Sequence, residues 1–295
     1  MTDDPSPTLR RRELGAQLRR LRKERGWTTQ DVAERLGFSV SKVSRMETGA
    51  RGVNAKDIAS LTELFGVDEE LSTHLDSIAR TGKKRLENRS AIVLDTDFIK
   101  LSDPTFVDLE RDATSIREYN SLVIPGLLQT EAYMRAAMKG GLPDVDPAQI
   151  ESSVTVRLQR QQILRRADPP DYQVVLDEAA LRRRVGGAAV MRDQMAVMLE
   201  AAAEGLVSLL VIPFEAGAHP GVNSDFVSLR TGGPAVPNVV FVEGLAGHLR
   251  FDKEQDVARY DRIWTMLTGV AASPEDSSRL LQTICDDLSA TAFDR

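Results

Sequence analysis

Leu14, Leu18 and Leu21 recur at i, i+4 and i+7, so the first apolar stripe of the chain lies on one face of a helix. Gly26 follows, where a glycine can take the left-handed conformation that closes a helix, and Trp27 then packs at the entry to the next one. Thr28 with Asp31 and Asn54 with Asp57 are capping-box variants, and Asp68 can cap a helix carrying Leu71, Leu75 and Ile78. These signals predict five short helices in the first 80 residues and no strand.

The most informative stretch is TQDVAERLGFSVSKVSRMET, residues 29–48. Val32, Ala33, Leu36, Phe38, Val43 and Met46 fall where two helices joined by a three-residue turn bury them against each other. Ala33 is small at the crossing, Gly37 supplies a positive φ, and Ser39 can accept from the amides that open the second helix. If Val43 and Met46 face inward, helical rotation turns Val40, Ser41, Ser44 and Arg45 outward together, with Lys42 to one side.

Helical spacing returns at Phe106, Leu109, Ala113 and Ile116 and again in IESSVTVRLQRQQILRRA, so residues 97–165 read as helical. Pro125-Gly126 marks a turn, followed by an apolar face that reads as a buried helix hairpin in preference to a ligand pocket. From residue 172 the period changes. YQVVLD, VSLLVIPF, FVSLR and NVVFVEG are short apolar runs bounded by Gly, Pro and Asn, as expected of central strands of one sheet covered on both faces. The segments between and after them read as helices, which makes this part α/β or α+β.

Charge divides the chain in the same place. The whole is acidic, 38 Lys+Arg against 44 Asp+Glu. Residues 1–85 nevertheless hold 17 basic and 13 acidic groups, or +4, and the remaining 21 against 31 leave −10 for residues 86–295. At 295 residues, two domains are expected, with a linker at 81–96 where TGKKRLENRS interrupts the apolar period.

The outward face of the second helix has the chemistry of a groove reader. Arg45 can pair in bidentate fashion with guanine, Ser41 and Ser44 can donate or accept, and Val40 can meet a thymine methyl. Ser39, Lys42, Arg51 and the helix-opening amides suit phosphates, which position without specifying.

Other chemistries are poorly represented. Cys285 is the one cysteine, and His74, His219 and His248 have no ligand spacing, so neither a disulfide, a metal nor a cofactor is expected. The longest apolar run, Leu206 to Phe214, is too short to span a bilayer, and the segment MTDDPSPTLRRR has no apolar stretch after its charges; a cytoplasmic, nucleoid-associated protein is expected. Asp177-Glu178 ends a strand and Glu215 and His219 share a loop, yet without a nucleophile elbow or phosphate loop an enzyme is not expected. That loop, with Glu215, His219 and Asp225, is instead the candidate surface for a partner or ligand.

Residues 14–80, and RLGFSVSKVSRMETG in particular, resemble the xenobiotic-response-element type of helix-turn-helix domain shared with phage repressors. The resemblance implies a five-helix lambda-repressor-like fold over 9–80 and a structural pair between Arg22 and Glu47. It also implies a phosphate contact at the first position of the second helix, where Thr29 followed by Gln30 stands in place of the usual glutamine. VIPGLLQTEAY, LDEAALRRRVGG, VIPFEAGAHPG and VVFVEG resemble the C-terminal domain of actinobacterial Scr1-type antitoxin-like regulators, relatives of WhiJ among them. The implied protein has an all-α helix-turn-helix domain followed by a mixed α/β domain with a central sheet at 97–288. Implied too are a small partner protein encoded nearby and no known catalytic residues. A homodimer on double-stranded DNA with a pseudo-palindromic operator completes the expectation, with a small-molecule effector as a further partner.

Overall fold

The computed structural model describes residues 6–82, 104–141, 145–232, 236, 238–244 and 247–290. Two compact units result, one built on the first five helices and including Asp108–Ala113, the other holding the sheet. Most of the expected linker, 83–96, lies outside the described residues, while Thr81 and Gly82 end a helix.

In the first unit, α1 (Pro7–Glu24) opens on Ser6, whose hydroxyl accepts from the Leu9 amide, and Pro7 stands at a position whose amide needs no partner. It is followed by α2 (Thr29–Leu36), α3 (Val40–Glu47), α4 (Ala55–Phe65) and α5 (Glu69–Gly82). The apolar stripes meet in one core, where Leu14, Leu18, Val43, Met46, Ile58 and Leu75 are nearly inaccessible. Helices α1 and α3 touch backbone to backbone at Gly15, where an added Cβ would lie 2.5 Å from the Glu47 carbonyl oxygen. Between α2 and α3 the turn is Gly37 to Ser39, with Gly37 at φ 65°.

The second unit comprises α6 (Pro104–Arg111), β1 (Ala113–Asn120), α7 (Glu131–Gly141), α8 (Pro147–Gln161), β2 (Asp171–Asp177), α9 (Glu178–Arg182), α10 (Ala188–Ala203), β3 (Ser208–Ile212), β4 (Phe226–Thr231), β5 (Val239–Gly244), β6 (Gly247–Phe251), α11 (Glu254–Val270) and α12 (Pro274–Ala290), although the two ends of α6 fall in different units. Its six strands form one mixed sheet in the order β3-β2-β1-β4-β5-β6, with β1, β2 and β3 parallel and β4, β5 and β6 an antiparallel meander. One face carries Tyr119, Val175, Ile212, Phe226 and Val240 against Trp264 and Leu267 of α11.

Two expectations are corrected here. The helical reading of 97–165 fails at ATSIREYN, which is the strand β1 between β2 and β4. Ala113 and Ile116 do continue the spacing of Phe106 and Leu109, but Thr114, Ile116 and Tyr119 favour a pleated surface, and burial by neighbouring strands decides the outcome. The strand β3 is also not a central one. It stands at an edge, which Ala272 and Ser277 cap by hydrogen bonds of 2.8 and 2.9 Å to the Val211 backbone, so its continuous apolar character has a different cause.

Candidate nucleic-acid interface

Helix α3 is fixed at both ends. At its start the Ser39 hydroxyl accepts from the Lys42 amide at 3.1 Å. At its end Glu47 meets Arg22 through two bonds, Nε to Oε1 at 2.6 Å and Nη2 to Oε2 at 2.8 Å, and Arg22 also donates to the Trp27 carbonyl at 2.7 Å. The carboxylate raises the Arg22 pKa still further above its ordinary value. One guanidinium thus joins α1, the entry to α2 and the end of α3.

Between these fixings the helix has two faces. Val43 and Met46 are buried, and Val40, Ser41, Ser44 and Arg45 are all exposed, Val40 at 46% despite its apolar side chain. The Arg45 side chain lies along the helix with Nε donating to the Ser41 carbonyl at 3.2 Å. Its two terminal nitrogens, which a bidentate contact with guanine would use, have no partner among the described residues.

The residues expected at phosphates differ more among themselves. Arg51 is exposed, and its side chain has no partner among the described residues. Thr29 is half-buried at the start of α2, and the exposed Gln30 donates to Glu34 at 2.9 Å. Thr28 and Asp31 close a reciprocal capping box in front of them, whose hydrogen bonds hold the Asp31 carboxyl below its ordinary pKa. Lys42 is the most committed. Its Nζ lies 2.8 Å from Asp57 Oδ1 and 3.4 Å from the centre of the Phe38 ring, so it joins α3 to the start of α4. Asp57 takes the Asn54 amide on its other oxygen at 3.0 Å. This tie was not legible in the sequence, because 15 residues separate its partners and the local cap that Asp57 forms with Asn54 gives no sign of Lys42.

In the second unit the expected partner surface divides. Glu215 is exposed on a 3-10 turn, Phe214–Ala216. His219 and Asp225 face inward, contrary to expectation. His219 is 8% exposed, with Nε2 3.1 Å from Asp177 Oδ2 and Nδ1 accepting the Gly221 amide at 3.3 Å. Both ring nitrogens are occupied, so in this conformation it offers no lone pair to a metal or a substrate. Asp225 accepts from the amide and hydroxyl of Ser121 at 2.9 and 2.6 Å, and burial raises its pKa. Glu178 is likewise buried, accepting from Arg182 and from the Phe214 amide. The physical reason is common to all three: a long connection from β3 to β4 has to be anchored on the sheet, and buried polar side chains must be paired.

Among the described residues no cluster of three His, Cys, Asp or Glu could hold a metal ion, and no helix is long and apolar enough to cross a membrane. Residues 13–75 match the family model of a helix-turn-helix domain, and residues 103–283 match that of a domain of unknown function (DUF5753). No curated protein and no solved structure matches the chain.

Proposed function

We propose, from the premise that this chain belongs to the DUF5753 family and carries a helix-turn-helix domain ahead of that domain, that it is a sequence-specific transcriptional regulator. The observation that carries this reading is the two-faced helix α3, with Val43 and Met46 in the core and Val40, Ser41, Ser44 and Arg45 together in solvent. Such a helix enters the major groove with the exposed set toward base edges. Arg51, Gln30 and the amides that open α2 and α3 lie beside phosphates, and Lys42 acts there through the stacking and ion pair that orient it.

The protein acts as a homodimer, because two such helices about 34 Å apart read the two half-sites of a pseudo-palindrome. The second domain receives a signal from a small partner protein or a ligand. The excess acidity belongs to residues 86–295, and screening confines phosphate attraction to a Debye length of roughly 8–10 Å. The +4 balance of residues 1–85 therefore governs docking more than the total of −6.

Selection of bound fragments from random DNA by the full chain tests the reading. Enrichment of a two-fold symmetric motif is expected, and retention that tracks salt alone, with no sequence enriched, overturns it. A second reading makes binding of a toxin-like partner the main task, with DNA binding limited to autoregulation, as in the Scr1-type and WhiJ-like regulators that the sequence resembles. The apolar side chains exposed on the second domain's loops favour it. Co-expression with the product of the adjacent gene discriminates: a stoichiometric complex that relieves growth arrest supports this reading, and no complex at any ratio removes it.

A further inference from the structure

Nine large apolar side chains stand exposed among the described residues, and four of them lie on loops at one end of the second unit's sheet. Leu122 and Val123 follow β1, Phe214 follows β3, and Val222 precedes β4, with exposures of 48, 39, 54 and 60%. Buried ties bring these loops side by side. Ser121, next to Leu122, is bonded to Asp225, three residues after Val222. Phe214 and His219 are fastened to the neighbouring residues Glu178 and Asp177 at the end of β2. Gly221 rests on the Tyr119 ring so closely that an added Cβ would fall 2.3 Å from Cζ.

The anchors are polar and inside, and the side chains they leave outside are apolar. A loop serving only to connect two strands has no need of this arrangement, because its large apolar groups could turn toward the sheet and leave polar ones in water. Contiguous exposed apolar groups mark contact surfaces, and groups already held in place lose little entropy on binding.

Charge narrows the partner. Arg182 is paired with Glu178, but Arg183 and Arg184 are exposed with no acidic partner among the described residues. Arg183 lies close enough to Tyr133 to act on its phenol, whose oxygen accepts the amide of Ile124, the residue after Val123. Two cations without an acidic partner among the described residues therefore follow α9, which itself follows the end of β2 where Phe214 is fastened, and Glu215 is an exposed carboxylate next to Phe214.

We propose that this end of the sheet is a docking face for a protein segment that is both apolar and acidic. Its apolar side chains meet Leu122, Val123, Phe214 and Val222, and its carboxylates face Arg183 and Arg184. Nucleic acid would satisfy the arginines but leave four apolar groups unmatched. A two-fold contact of the face with itself would bring like arginines toward each other. The inference rests on the reading of the second domain as a receiver, and it is independent of what α3 binds.

Selection of random twelve-residue peptides displayed on phage, against the full chain without DNA, tests it. The selected peptides are expected to combine aliphatic or aromatic residues with Asp and Glu. In an anisotropy titration of the tightest one, Phe214→Ser with Val222→Ser weakens binding by roughly tenfold or more. Arg183→Ala with Arg184→Ala weakens it several-fold and lessens its salt dependence, while Arg45→Ala has no effect. The inference is overturned by no enrichment, by basic selected peptides, by affinity that the face variants leave unchanged, or by a dimer that Phe214→Ser with Val222→Ser turns into a monomer. Binding of DNA by the same variants, measured separately, keeps failure of this face distinct from failure of the regulator reading.

Discussion

Replacing Glu47 with alanine removes the carboxylate that meets the Arg22 guanidinium at 2.6 and 2.8 Å. The two side chains are 11% and 7% exposed, so water replaces little of what is lost. Breaking one side of a buried ion pair costs about 3–5 kcal/mol; the bond that Arg22 keeps to the Trp27 carbonyl puts this case near ~3 kcal/mol. Glu47→Gln retains the shape and one acceptor, and should cost about 1–2 kcal/mol. A small unit has a urea slope of about 1–2 kcal/mol per molar, so Glu47→Ala lowers the midpoint by on the order of 2 M. Urea titration of the full chain in a Trp264→Phe background reads this directly. Trp27 is then the only tryptophan, and it lies against Phe65 in the first unit with ring centres 6.1 Å apart. A midpoint lowered by less than about 0.5 M, or equal losses for alanine and glutamine, would refute the view that this pair holds α3 in place.

The remaining predictions address position, packing and pH. Arg51→Ala should lower the slope of log affinity against log salt by about one ion, whereas Lys42→Ala should change the slope by less and cost the first unit about 1 kcal/mol, because its ammonium is held by Asp57; salt titrations and urea midpoints check both. Gly15→Ala should destabilise by about 1–3 kcal/mol or more, since its Cβ would meet the Met46 and Glu47 carbonyls, while Gly52→Ala, whose nearest new neighbour is 3.8 Å away, serves as the control in thermal melts. Asp225 binds its proton more tightly folded than unfolded, so stability falls as pH rises from its ordinary value to the raised one. Asp225→Asn should flatten that dependence, as read by urea midpoints between about pH 3.5 and 6.

The first unit was legible because its signals are local. Gly37, Ser39, the Thr28 and Asp31 box and the spacing of Leu14, Leu18 and Leu21 each act within a few residues, and all point to the same five helices. In the second unit the runs YQVVLD, VSLLVIPF, FVSLR and NVVFVEG stand out because their β-branched and aromatic residues are continuous. The strand β1 was hidden because Ala113 and Ile116 extend the period of α6, and only its pairing with β2 shows its true state. The strand β6, GHLRF, was missed as well, being short, at the sheet's edge and mixed in polarity. At the site, the outward set on α3 followed from helical rotation alone. Lys42 with Asp57 and Asp177 with His219 did not, since they join residues 15 and 42 positions apart whose meeting depends on tertiary packing.

If the exposed face of α3 reads bases as proposed, Arg45 is the residue on which that reading depends most. Binding motifs selected from random DNA by the full chain and by Arg45→Ala, compared position by position, test this most directly. Arg45→Ala should relax one base pair in each half-site, at a cost of about 1–3 kcal/mol, and leave the other positions and the half-site spacing intact. An unchanged motif and affinity in Arg45→Ala would contradict it.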